Sequence, residues 1–254
     1  MKLFLNKVMK SKTQILGILI SLLMVLGFIL TDPISQQHRY HQFTYDTMLL
    51  GIPNFWNVIT NIPFIVVGLI GARWVWKQHR NYRLRTLASW LFIGLIGIGI
   101  GSTYYHINPA IDTLFWDRLP MALVFSILLV VVVHNFVSKK LSRQIQWPVI
   151  ICSLLSVIYW RVTESLGYGD LRPYILVQFI PMLLIPYFLW LNRYGKVRGW
   201  MLASLLTYIL AKISEHFDAE LFELTGFIAG HPIKHLLAAM AMIFIFKHFQ
   251  KNAS

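Results

Sequence analysis

The sequence is poor in charge and has almost no cysteine. Charged residues make up 13% of its 254 residues and hydrophobic residues 57%, whereas soluble domains carry roughly a quarter charged residues. This shortage excludes an ordinary soluble globular domain. The one cysteine, Cys152, lies inside an apolar run. A disulfide framework and a thiolate metal site are therefore also excluded.

Acidic residues are the scarcer of the two charge types. There are 10 of them against 23 Lys and Arg, for a net charge of +13. A nucleic-acid partner is not expected, because the basic residues stand in short clusters between apolar runs. That pattern is typical of loops on the cytoplasmic side of a membrane. The expected partner is therefore the lipid bilayer. Nothing in the sequence indicates the oligomeric state.

Long apolar runs are the dominant feature of what is present. Runs long enough to span a bilayer lie at about 14–31, 55–75, 87–106, 118–138, 147–165, 173–191, 199–215 and 231–247. They predict an all-α, polytopic membrane bundle forming a single domain over 1–254. The first run follows four lysines, as in a signal peptide, but no small-x-small cleavage site comes after it. We therefore expect it to be retained.

The charge distribution predicts an orientation. If the N-terminus is cytoplasmic and the runs alternate, the inner segments hold 17 of the 23 basic residues. All 10 acidic residues then fall on or near the outer side. Because Lys and Arg are retained on the cytoplasmic side, both termini are predicted to be cytoplasmic.

Two histidines open the last apolar run. His231 and His235 are spaced i, i+4, which places both imidazoles on one helical face and suits a single metal ion. The pair alone is weak evidence, since such histidines are more often capping or interface residues.

A second polar group lies at the same predicted membrane depth. Ser102 and His106 share a face at the end of the third run, and Asp117 begins the fourth across a short turn. The glycines just before Ser102 (Gly94, Gly97, Gly99 and Gly101) indicate close helix packing. For Asp117 the alternatives are an ion pair with Arg118 or a helix N-terminal charge. For Ser102 the alternative is a packing hydroxyl.

Together these residues suit hydrolysis. Three imidazoles with an open fourth position form a catalytic zinc site. Asp117 can then move a proton from water to a leaving amine, and Ser102 can donate to an oxyanion.

The remaining outer-side polar residues are less informative. Glu215 can orient a zinc-bound imidazole from behind, and its neighbour His216 belongs to the same outer helix end; an ordinary polar helix end explains both equally well. Near one outer loop, the charged residues form structural ion pairs or contact a lipid headgroup, and ion pairs are the expected use; these residues are Arg161, Glu164, Asp170 and Arg172.

The set Ser-x-x-x-His, Asp eleven residues later and a late His-x-x-x-His resembles the alkaline ceramidases. Their membrane-hydrolase superfamily includes the adiponectin-receptor-type and GPI-remodelling proteins. The stretches 51–57 with Asn61, 169–174 and 215–218 are similar to bacterial-type members. The resemblance covers about 43–245.

The resemblance has specific implications for fold and site. It implies a seven-helix core over 43–247 plus an extra helix at 14–31. It further implies zinc on His106, His231 and His235, with Asp117 and Ser102 catalytic. The expected reaction cleaves the amide of a ceramide-like N-acyl lipid into a fatty acid and an amine, in a bacterial inner membrane near its outer face.

One departure concerns calcium. The animal-type enzymes carry a Glu just before Phe-Trp-Asn, and Asn54 stands there in this sequence. The preceding residues 43–46 hold one carboxylate, Asp46, where calcium usually takes several. We expect no calcium site of that type, and whether ceramide itself is the lipid stays open.

Two other functions remain alternatives. A receptor with structural zinc is compatible with the adiponectin-receptor branch, and a transporter is compatible with intramembrane histidines. A receptor needs a partner surface, a transporter broken helices near the midplane, and an enzyme an open metal position.

Overall fold

The computed structural model describes residues 22, 25–44, 48–78, 84–191 and 198–253. Within these ranges the regular structure is helical, apart from one isolated bridge between Leu49 and Ile52. The helices are α1 Phe55–Ile59, α2 Ile62–Lys77, α3 Arg85–Ile107, α4 Ile111–Val132, α5 Lys139–Ser165, α6 Arg172–Leu191, α7 Arg198–His216, α8 Asp218–Thr225 and α9 Gly230–Ala253. A 3-10 turn covers His38–His41, a π-turn Val133–Val137 follows α4, and residues 25–30 are helical.

Six helical segments among the described residues are long and apolar enough to cross a membrane. They are Phe55–Lys77, Arg85–Ile107, Ile111–Val137, Lys139–Ser165, Arg172–Trp190 and Gly230–Ala253. The protein is therefore a multi-pass, all-α membrane protein, as predicted. Helix α7 forms where the seventh run was placed but is not among the six. The first run lies mostly outside the described residues, so the seven-helix core with one extra helix stays a prediction.

The outer surface of these helices is apolar. Leu69, Ile100 and Leu206 are each more than half exposed. Large exposed aliphatic side chains on several helices would be unfavourable in water. They are expected where the surrounding solvent is lipid.

Hydropathy placed the start of one helix too late. The fourth run was drawn from 118, whereas α4 begins at Ile111. Thr113 stabilises this start: its hydroxyl donates to the Asn108 carbonyl at 2.7 Å and accepts from the Ala110 N–H at 3.0 Å. The first turns contain charged residues, which lower hydropathy without preventing a helix. Asp117 consequently lies almost two turns inside α4, not at its first residue.

The chain divides into two compact units, one with residues up to Ser35 and Phe125–Arg193, the other with Gln36–Val124 and Tyr194–Ser254. The prediction of a single domain stays a prediction.

In the first unit, the loop before α6 is held by an ion pair with two hydrogen bonds. Arg172 Nε and Nη2 each lie 2.8 Å from a carboxylate oxygen of Asp170. These bonds hold the pKa of Asp170 below its ordinary value, and they confirm the structural ion pair.

In the second unit, α2 packs on α3 and α7 packs on α9. Close contact between α2 and α3 depends on Gly71, because a Cβ there would lie 2.2 Å from the Phe92 ring. Phe92 is fully buried and also contacts Phe246 of α9 edge-on. Since lipid is as apolar as these side chains, van der Waals packing around small residues stabilises the unit.

Candidate metal and active site

Close contact between α3 and α4 sets the position of Ser102 and Asp117. A Cβ on Gly101 would lie 2.1 Å from the Trp116 carbonyl oxygen, and one on Gly97 would lie 2.9 Å from Pro120. The two backbones therefore touch, which confirms the interpretation of the glycine-rich stretch. At this contact the buried Ser102 side chain lies next to the buried Asp117 carboxyl group.

A second close contact sets the position of His231. A Cβ on Gly230 would lie 1.9 Å from the Ser214 carbonyl oxygen, so the start of α9 touches the end of α7. The Asp218 carboxylate accepts the backbone N–H of His231 at 2.5 Å. This bond satisfies one of the N–H groups that a helix start leaves without a partner. His231 is thereby held beside Glu215, near the end of α7.

The structure brings together the three predicted metal ligands. One ring nitrogen from each of His106, His231 and His235 lies within 4.8 Å of the other two. The ring centroids are 4.9–5.1 Å apart. His106 and His235 are 1% and 4% exposed, so bulk water does not satisfy their nitrogens. We call these residues the histidine cluster.

Thr60 determines the tautomer of His235. The Thr60 hydroxyl donates to the Trp56 carbonyl at 2.6 Å and lies 3.0 Å from His235 Nδ1. Because its proton is used by the carbonyl, the Thr60 oxygen accepts from Nδ1–H. His235 Nε2 is then unprotonated and can bind a metal, the arrangement in which a second partner fixes the orientation of a ligand.

His106 supplies the test of whether the cluster suits a metal. Its Nδ1 is buried and has no hydrogen-bond partner among the described residues. Buried polar atoms are nearly always partnered, and a metal bond would satisfy this one. Three imidazoles are also a ligand set of catalytic zinc sites. The cluster therefore fits a metal ion, and zinc is compatible with it.

The two residues predicted to support the cluster differ in their placement. Glu215 Oε1 is 3.9 Å from His231 Nδ1, too far for a hydrogen bond. That oxygen instead accepts from Lys234 at 2.7 Å. His216 is exposed, packs its ring against Phe217 and is not part of the histidine cluster.

Two residues near the histidine cluster, Phe43 and His41, belong to none of the sequence motifs described above. The Phe43 ring lies 4.8 Å from the His106 ring and 5.5 Å from that of His231, so it covers two predicted ligands. His41 Nδ1 lies 3.1 Å from the Tyr105 hydroxyl. In the sequence, Phe43 stands only at the edge of the range that the resemblance covers. Nothing in their spacing indicates contact with residues so distant in the chain.

The geometry agrees with what the sequence comparison finds. The sequence model of the family described as Ceramidase matches residues 47–251, which is most of the chain. The chain belongs to the ceramidase family. The matched range contains the histidine cluster, Ser102 and Asp117, and it confirms the resemblance. No curated protein was found to match the chain.

Membership of the ceramidase family settles the reaction class. The protein is a hydrolase that acts on a linear amide C–N bond of ceramide type, and its substrate is a lipid. The bacterial type indicated by the shorter sequence stretches stays a prediction.

Proposed function

We propose that this ceramidase-family protein is a zinc-dependent intramembrane hydrolase that cleaves a ceramide-like N-acyl lipid into a fatty acid and an amine. One observation carries the proposal. Three histidine nitrogens within 4.8 Å of one another share the second unit with the buried carboxyl group of Asp117 and the buried hydroxyl of Ser102. A metal ligand set, a proton carrier and a hydrogen-bond donor are the groups that amide hydrolysis needs.

His106, His231 and His235 would hold the zinc ion. When bound, zinc supplies Lewis acidity, activating water at neutral pH and polarising the substrate carbonyl. Phe43 contributes by covering the rings of His106 and His231. Covering the site excludes bulk water, which strengthens every electrostatic interaction inside it.

Asp117 is the proposed proton carrier. Its buried carboxyl group lies beside the Ser102 hydroxyl, and it acts in the ionised form. It takes a proton from the attacking water and passes it to the leaving nitrogen when the C–N bond breaks.

The proposed contact between Ser102 and Asp117 couples proton transfer by Asp117 to oxyanion stabilisation by Ser102. While Asp117 is ionised, the neighbouring Ser102 hydroxyl is proposed to donate to its carboxylate. Once Asp117 has taken a proton, it no longer needs that donor. The Ser102 hydroxyl can then turn to the oxyanion that has formed on the substrate, as oxyanion donors do.

Glu215 is proposed to support the site through its bond to Lys234, not through a bond to His231. Its carboxylate lies beside the ring but is bonded to Lys234 and Lys212. Orientation of His231 is achieved instead by the bond from its backbone N–H to Asp218. For His216 we propose no part in the reaction, because its exposed ring faces Phe217.

Metal analysis combined with an amide-hydrolysis assay tests the proposed function. We expect one equivalent of zinc in the purified protein and release of fatty acid from an N-acyl lipid in mixed micelles. A strong chelator should abolish release and added zinc should restore it, since binding requires all three histidines. Zinc-loaded protein that cleaves no lipid amide would instead favour the receptor with structural zinc.

The proposed orientation places both termini in the cytoplasm and the histidine cluster near the outer face of a bacterial inner membrane. It is supported by the 17 basic residues assigned to inner segments. It also agrees with the position of His106, which lies one residue before the end of α3 and close to the turn at 108–110.

Cysteine labelling tests this orientation. With Cys152→Ser as background, Ala110→Cys should react with a membrane-impermeant maleimide added to intact cells. Lys140→Cys, in the basic cluster at the start of α5, is the matched control and should react only after permeabilisation, because Lys and Arg stay inside. Labelling of position 140 but not 110 in intact cells would reverse the orientation.

A further inference from the structure

A lysine side chain lies beside the histidine cluster. Lys234 lies on α9 between the two histidines, and its Nζ is 3.1 Å from His231 Nε2 and 3.4 Å from Nδ1. Nearly equal distances to both ring nitrogens place the ammonium beside the ring and not along one lone pair. The Lys234 side chain is 18% exposed.

Glu215 holds this ammonium in place. Its Oε1 accepts from Lys234 Nζ at 2.7 Å, and Lys212 bonds the other carboxylate oxygen. Two ammonium groups therefore share one carboxylate, which leaves a net positive charge beside His231. An ammonium donates three hydrogen bonds, and Glu215 uses only one of those from Lys234.

A fixed positive charge here opposes metal binding. A nitrogen–zinc bond is only about 2.0–2.1 Å long, so the ammonium is among the nearest groups to any ion on His231. Like charges at such distances repel, most strongly away from water. For metal retention alone, an apolar residue at position 234 would serve better. The positive charge is useful if something anionic also comes to the cluster.

We propose that Lys234 is a further catalytic residue, whose ammonium, held by Glu215, binds the anionic oxygen that forms on the substrate carbonyl. The inference rests on the proposed function. When water attacks, its oxygen bonds to the carbonyl carbon and the C=O π pair moves onto the carbonyl oxygen. When the C–N bond breaks, that pair re-forms C=O, the leaving nitrogen takes a proton, and the products are an amine and a carboxylic acid. Lys234 stabilises the charge present between these two steps.

The position of Lys234 suits this role better than that of Ser102. Ser102 is proposed to donate to Asp117 before attack, whereas the Lys234 charge is held in place by Glu215 throughout. A group that needs no reorganisation at the moment of reaction contributes most to stabilising the transition state.

Lys234→Met tests the role, because it separates catalysis from metal binding. We expect kcat to fall about 10²–10³-fold, the usual loss for one oxyanion donor. Zinc affinity, measured by competition with a chelator, should stay equal or rise because a repelling cation is gone. Inhibition by a free fatty acid, whose carboxylate presents the same anionic oxygens, should weaken. Lys234→Arg keeps the charge and should retain most of the rate.

Lys212→Met is the matched control, since it removes the other ammonium on Glu215 but leaves Lys234 beside His231. Its side chain is 45% exposed, so water screens its charge, and we expect a rate close to wild type and a smaller rise in zinc affinity than in Lys234→Met. If Lys234→Met loses rate and zinc affinity together, the lysine is structural and the inference is wrong. An unchanged rate would equally overturn it. A wild-type protein that cleaves no lipid amide would overturn the proposed function itself, and with it the role of Lys234.

Discussion

Alanine at His106, His231 or His235 is expected to remove bound metal and activity together. A hydrolytic zinc site needs three protein ligands and one open position, and each substitution leaves two ligands. Loss of a residue that only orients a ligand costs about 10–100-fold in affinity or activity. Loss of a ligand itself should therefore exceed about 100-fold in both. Zinc per protein after gel filtration and fatty-acid release in the same sample measure the two effects.

His248→Ala is the matched control for these variants. His248 is also a fully buried histidine of α9, bonded to Asn252. It lies 17 residues after His231, roughly 25 Å along the helix at 1.5 Å per residue. We expect this variant to keep its zinc even if it melts at a lower temperature. Stoichiometric zinc in a triple variant with Ala at positions 106, 231 and 235 would mean that the metal binds elsewhere.

Composition was sufficient to predict the class of fold. Few charges and long apolar runs leave only helices or a closed barrel, and runs of about 20 residues are too long for barrel strands. Helix ends were harder to predict. The start of α4 at Ile111 depends on the hydrogen bonds of Thr113, which hydropathy does not register.

The chemistry of the site could be predicted in part. Helical spacing places His231 beside His235, and Ser102 beside His106, because residues four apart share a face. The contact between the two pairs depends on tertiary structure, which helical spacing does not predict. It depends on backbone contacts at Gly101 and Gly230, and the sequence indicates only that these positions are small.

The supporting contacts could not be predicted because they join distant parts of the chain. Thr60 and His235 are 175 residues apart, and an isolated threonine near a membrane helix end carries no signal. Lys234 is different, since its spacing of three from His231 already placed it on the same face. Lys234 lies inside the His-x-x-x-His motif, so its position near the histidines could have been predicted. What the sequence lacked was the position of Glu215, which directs the ammonium towards the ring.

Asp117→Asn is expected to keep zinc and fold but lose hydrolysis. Asparagine preserves size and can still accept the Ser102 hydroxyl, but it cannot take a proton from water. General acid–base groups contribute about 10²–10⁴-fold, so kcat should fall by that factor with substrate affinity little changed. Ser102→Ala should cost less, about 10²–10³-fold at most, because Lys234 is a second donor to the same oxyanion. Rates on a panel of N-acyl lipids, zinc content and melting temperature are measured together.

Asp170→Asn gives the contrasting pattern and is the matched control for Asp117→Asn. Asp170 is also buried, but it lies in the loop before α6 and its carboxylate is bonded to Arg172, the first residue of that helix. Weakening a hydrogen-bonded charge pair typically costs about 1–3 kcal/mol, so this variant should melt earlier while keeping its zinc and kcat. If Asp117 were structural, Asp117→Asn would show that pattern, with metal content falling as the cluster loosened. Full activity in zinc-loaded Asp117→Asn would remove Asp117 as the proton carrier. Because Glu215 is bonded to Lys234 and Lys212, it is poorly placed to replace Asp117, so the rate of this one variant decides the mechanism.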